Sequence, residues 1–140
     1  MTEYFDECIK LAEKAYKLGE IPVGAIVINN GKIIGKGFNQ RIRSNDVTGH
    51  AEVIAIKEAA NFINDWRLNG CDLFVTLKPC AMCEEIIKES RIDNVYYLIE
   101  KDSIKKGYSK TIFNKMEDVE KLSTLYSELI TTFFKENCKR

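Results

Sequence analysis

A single histidine, two prolines and one tryptophan serve a chain of 140 residues, and neither sign of charge prevails. With 21 basic against 21 acidic side chains, the protein lacks the basic excess that favours a nucleic-acid partner, although the balance does not forbid one. No apolar run approaches the ~20 residues needed to cross a bilayer, and the opening Met1-Thr2-Glu3-Tyr4-Phe5-Asp6-Glu7 is acidic with no signal-peptide core. The expectation is therefore a cytoplasmic protein with no membrane segment. Internal repeats, low-complexity tracts and Pro/Gly/Ser-rich linkers are also missing, so residues 1–140 read as one domain able to bury a sizeable core. The five cysteines are an odd number, and two of them form a C-x-x-C pair. That usage speaks against a disulfide framework and for a reduced compartment with metal or redox chemistry. Cys8 and Cys138 fall in helices expected at the two ends of the chain and read as small packing residues.

Hydrophobic periodicity then orders the chain. From Glu3 to Leu18 the apolar positions Phe5, Cys8, Ile9, Ala12, Ala15 and Tyr16 keep helical spacing, and Gly19 stops the run. Val23 to Ile28 is apolar almost throughout, as a central strand covered on both faces should be. Asn29-Asn30-Gly31 turns it back into Lys32 to Phe38 as a hairpin. A polar stretch from Asn39 to Gly49 precedes a helix from about His50 to Ile63. Trp66-Arg67-Leu68 is expected to pack the loop that follows. Asp72 to Leu77 and Asn94 to Ile99 read as strands, with a helix from Pro79 to about Ser90 between them. Lys101 to Lys110 is a loop candidate carrying four lysines. A further strand is expected within Met116 to Leu122. Ser123 is expected to cap a last helix that buries Leu125, Leu129, Ile130, Phe133 and Phe134. The implied architecture is an α/β protein, a three-layer α/β/α sandwich around one mixed sheet.

His50-Ala51-Glu52 and Pro79-Cys80-Ala81-Met82-Cys83 carry the chemistry. One imidazole and two thiols at i and i+3 offer three ligands for a zinc ion, and a three-ligand site keeps its fourth tetrahedral position for water. Glu52 is not needed as a ligand and is suited to be the base that handles that water's proton. Both groups are expected at helix N-termini, where the helix dipole favours thiolate over thiol. A thiolate-rich set also selects zinc over magnesium or calcium. A structural zinc would need a fourth protein ligand, but Cys71 lies nine residues before Cys80 across an extended strand, about 25–30 Å away. A thioredoxin-like dithiol is the more serious rival. It would require a later proline facing the pair, and none follows Pro79.

The pattern H-x-E…P-C-x-x-C is that of zinc-dependent base deaminases. Together with Gly19-Glu20-Ile21-Pro22-Val23-Gly24-Ala25, Asp65-Trp66-Arg67-Leu68, Val75-Thr76-Leu77 and Ser90-Arg91-Ile92, it resembles the bacterial tRNA-specific adenosine deaminases. The likeness runs from about residue 4 to 99, with an echo at Phe133-Phe134. The resemblance implies the cytidine deaminase-like fold and one zinc per chain on His50, Cys80 and Cys83, with Glu52 as the catalytic carboxylate. It also implies a homodimer acting on the tRNA anticodon loop, where the wobble adenosine becomes inosine. Asn39 matches the asparagine that holds the flipped nucleotide, and the backbone at Ala51 lies where the family binds the base. The chain departs from the family at Lys78, where a glutamate is usual, at Val47 and Gly49, and beyond Ile99. Those departures keep a free nucleobase or nucleoside deaminase acting on guanine or cytosine as the alternative, with a non-catalytic zinc-binding paralogue behind it.

Overall fold

A computed structural model describes residues 1–100 and 111–137. The cluster Lys101, Lys105, Lys106 and Lys110 and the Cys138 thiol lie outside the described residues. The elements are α1 (Thr2–Lys17), β1 (Gly24–Asn29), β2 (Lys32–Phe38), α2 (Ala51–Ile63), β3 (Cys71–Leu77), α3 (Ala81–Glu89), β4 (Asn94–Ile99), β5 (Ile112–Lys115) and α4 (Glu120–Glu136). Asn30 and Gly31 take φ of 52° and 74°, the pair of left-handed residues that a two-residue hairpin turn demands.

The strands form one five-stranded sheet in the order β2-β1-β3-β4-β5. β1 is antiparallel to both of its neighbours, whereas β3, β4 and β5 run parallel. Because β2 and β3 both oppose β1, their carboxyl ends open on the same rim, one strand apart. Strand alternation then sends each residue to one of two cores. Ala25, Val27, Leu73, Val75 and Val95 meet Ala51, Ala55 and Ala59 of α2 and Ile87 of α3. Ile26, Ile28, Phe74 and Leu98 meet Phe5, Cys8, Ile9 and Ala12 of α1 and Tyr126 and Ile130 of α4. The result is the expected three-layer sandwich around a mixed sheet.

Four expectations change. The last strand is Ile112–Lys115, not a segment of Met116 to Leu122. Asp118 adopts φ 58°, which breaks any extended run there, and the true strand is a four-residue edge with no apolar alternation to announce it. Helix α4 begins at Glu120, and the Ser123 amide already donates to the Val119 carbonyl inside its first turn, so Ser123 is no cap. The buried stripe is Tyr126, Ile130 and Phe133, with Leu129 partly buried, while Leu125 and Phe134 face solvent. Apolar residues on α4 cover more than one face, and only the positions four and seven after Tyr126 share its direction. Trp66 is also exposed rather than packed, with the Arg67 and Arg91 guanidinium groups 5.5 and 5.4 Å from its ring centroid, while Leu68 is fully buried.

Helix α2 lies against β2 by direct backbone contact. A Cβ on Gly37 would strike the Ala51 carbonyl oxygen, and one on Gly35 would strike that of Ala55. Gly70, by contrast, has φ +81° and open space around it. Gly37→Ala should therefore cost at least about 2 kcal/mol through forced displacement of α2. Gly70→Ala should cost only the left-handed strain, about 1 kcal/mol. Urea unfolding of the two variants checks the difference, and equal losses would contradict the contact.

Candidate metal centre and substrate cleft

His50 is the N-cap of α2 and Cys80 the N-cap of α3, both with extended backbone, φ/ψ of −84°/147° and −70°/172°. Neither side chain caps its own helix, so both are available to a ligand. The loop after β2 delivers His50 and the loop after β3 delivers Cys80 to the shared rim, and one turn of α3 brings Cys83 beside Cys80. The structure thus unites the three expected ligands. Their donor atoms lie within 4.8 Å of one another, and this is the cluster of three such groups found among the described residues. Cys80 Sγ is 3.7 Å and Cys83 Sγ 3.4 Å from His50 Nδ1. A tetrahedral zinc with its usual bond lengths sets a sulfur–nitrogen edge of about 3.6 Å, so the donor set fits this ion in both chemistry and spacing. Cys71, buried at the start of β3, is no part of the group.

The two thiols are unlike. The Cys83 thiol and the His50 imidazole hold the Cys80 sulfur as thiolate, lowering its pKa to about 3. Cys83 is fully buried and shares its proton with Cys80, which pushes its own titration upward. Cys80 therefore offers a ready anion at the surface, whereas metal binding must displace the proton of Cys83. Interaction with Cys80 raises the His50 pKa.

Glu52 stands in the first turn of α2, 4% exposed, and burial pushes its carboxyl up to about 7. A carboxyl in that range exchanges a proton near neutral pH, which is what an acid–base group requires. Asn39 follows β2 and is buried, and its Oδ1 accepts the Ala51 amide at 2.9 Å. That bond ties the end of β2 to the start of α2 and leaves the Asn39 amide nitrogen as the donor for a ligand. The same bond engages the Ala51 N–H. The Lys78 cation is drawn to Glu100, 3.9 Å away, and to the Tyr97 ring, 5.7 Å from its centroid. This answers the unusual residue before Pro79: its charge has partners at the end of β4.

Asn39 also lines a cleft of about 640 Å³. One wall is the loop bearing Arg41, Ile42 and Val47, and the other is Phe133 and Phe134 of α4. Glu20, Ile21, Asn45 and Asp46 complete the lining. In the sequence, Glu20 stands out only as part of the Gly19 to Ala25 run that resembles the family. Its signal was a carboxylate set between a helix and an otherwise apolar strand.

Comparison with known proteins agrees with this geometry. Residues 1–99 match the family model described as the cytidine and deoxycytidylate deaminase zinc-binding region, which defines the class as zinc-dependent deaminases. A tRNA-specific adenosine deaminase of Aquifex aeolicus (strain VF5) is 38% identical over 96% of this chain and 94% of its own length. The chain belongs to that family of deaminases. Among solved structures, one from a study of A-to-I editing by tRNA:A34 deaminases has a TM-score of 0.77 at 29% identity, over 82% of this chain and 98% of that one. A guanine deaminase from Bacillus subtilis has a TM-score of 0.67 at 27% identity, covering 91% and 92% respectively.

Two measurements test the site. Zinc analysis should give about one ion per chain, and His50→Ala, Cys80→Ser and Cys83→Ser should each lose it. In chelator-treated protein the Glu52 carboxyl adds no pH dependence below its ordinary value of 4.5, because it is protonated whether folded or unfolded. Between 4.5 and about 7 the unfolded chain releases this proton and the folded chain keeps it, so stability falls as pH rises. Above that range the penalty is complete, up to about 3 kcal/mol. Melting of Glu52→Gln should accordingly exceed that of the parent by about 5 °C more at pH 8 than at pH 5. An equal gain at both would refute the burial effect.

Proposed function

We propose that this chain, read as one deaminase domain over residues 1–140, converts the wobble adenosine of a tRNA anticodon to inosine and releases ammonia. The observation that carries the reading is the three-ligand cluster with buried Glu52 at its side, in a chain of this family. His50, Cys80 and Cys83 would hold the zinc, which when bound acts as a Lewis acid toward water. Glu52 takes a proton from the attacking water as its oxygen joins the amino-bearing carbon. The carboxyl then returns that proton to the ring nitrogen, takes the remaining proton of the added hydroxyl and passes it to the amine, so that the carbonyl forms as the C–N bond breaks and ammonia leaves. Water and adenosine thus give inosine and ammonia, with Glu52 restored.

Asn39 is the proposed base contact through its side-chain amide nitrogen, and the backbone at Ala51 orients it by donating its N–H to Asn39 Oδ1. The cleft that Asn39 borders has apolar walls at Ile42, Val47, Phe133 and Phe134, suited to a base removed from its stack, and Arg41 supplies a cation for the phosphate chain. An unpaired anticodon nucleotide lowers the cost of that removal. We propose further that the enzyme is a cytoplasmic homodimer, as the family resemblance implies. No helix among the described residues is long and apolar enough to cross a membrane.

A second reading, a free guanine deaminase, is favoured by the likeness to the Bacillus subtilis enzyme and by the absence of net positive charge. Incubation with an anticodon stem-loop and, separately, with guanine, cytosine and free nucleosides separates the two. Mass analysis should find inosine in the RNA. Glu52→Gln should retain zinc yet lose at least about a thousandfold in rate. Ammonia from a free base with no inosine in the RNA would overturn the tRNA assignment. A variant still active without the carboxylate would overturn the role of Glu52.

A further inference from the structure

Among the charged side chains that no step above uses, Glu20 is the most deeply enclosed, at 2% exposure. It follows Gly19, whose φ of 78° turns the chain out of α1, and its carboxylate crosses to the loop between β2 and α2. There Oε1 accepts the Ile42 amide at 3.2 Å and Oε2 the Arg43 amide at 2.7 Å. A buried carboxylate bound by backbone amides is worth more than a neutral pair, and its removal leaves two N–H groups to find water. The loop is also closed on itself. The Gln40 amide donates to the Gly49 carbonyl at 2.7 Å, and Asp46 Oδ1 accepts the Thr48 amide at 2.9 Å. Glu20 is the outside anchor of that closed loop, and it grips the stretch that forms the cleft wall. Ile42 and Val47 stand 56% and 71% exposed there, apolar side chains held out to solvent opposite Phe133 and Phe134.

We infer that Glu20 is a positioning residue for substrate binding: its buried carboxylate fixes the loop that carries Arg41, Ile42 and Val47 as one wall of the cleft. It touches neither the metal ligands nor Glu52, so it acts on how substrate is held and not on the chemical step. The RNA assay rests on the function proposed above, whereas the loop measurement does not.

Glu20→Gln keeps the volume but turns an NH2 toward one of the two amides, and Glu20→Ala removes both acceptors. Amide hydrogen exchange at Ile42 and Arg43 should accelerate at least about tenfold in either variant, with Ile26 and Val27 of β1 unchanged. With the anticodon stem-loop, KM should rise about tenfold while kcat stays within about twofold and zinc stays near one per chain. Unchanged exchange at both amides would overturn the clamp. Faster exchange with an unchanged KM would overturn its part in binding, and loss of zinc or of kcat alone would reduce Glu20 to a structural residue. If the wild-type protein acts on a free base and not on RNA, the substrate assignment fails. The KM for that base, read beside the exchange, then decides the role of Glu20 in the same way.

Discussion

The site depends on how closely the backbone of α2 sits on β2. Two glycines of that strand, Gly35 and Gly37, leave no room even for a methyl group beneath the helix. The helix therefore starts where the strand ends, with His50 at its cap and Glu52 in its first turn. On the same rim, β3 ends one strand away and feeds Cys80 and Cys83 into α3. A wider gap between helix and sheet would move the imbayed imidazole away from the two sulfurs, and distances of 3.4 and 3.7 Å leave little slack for a four-coordinate ion.

Electrostatics then divides labour among neighbouring groups of similar chemistry. Cys80 is drawn to the charged form by the proton donors around it, while Cys83, deeper in, holds on to its proton. Glu52 is drawn toward the neutral form by the same burial that shields it from bulk water. The positive charge at Lys78, the conspicuous novelty before Pro79, is occupied by Glu100 and the face of Tyr97. Placing a cation at that position thus need not disturb the pair of sulfurs, because the end of β4 supplies its counterweight.

Much of this was legible in the residues because it obeys short-range rules. The apolar run of β1, the Asn-Gly turn and the helical spacing of α1 each follow from local stereochemistry, and these three lie within a residue or two of expectation. The metal ligands were readable because a lone histidine and a C-x-x-C pair have few other uses in company. What escaped depends on distant partners. β5 owes its extended form to the exposed edge of β4, not to its own four residues. Helix α4 is oriented by its contacts with α1 and β4, and the Trp66 ring meets Arg91, which lies beyond α3. The bond between Glu20 and the loop amides spans more than twenty positions and has no periodic signature.

The difference in depth between the two sulfurs also has a bearing on durability. Cys80 is exposed and Cys83 is not. An anionic sulfur at the surface is the form that peroxides and alkylating reagents attack, and coordination to a metal withdraws that electron pair from them. Among the thiols of the described residues, chemical ageing should thus begin at Cys80, and the occupancy of the ion would act as its antioxidant.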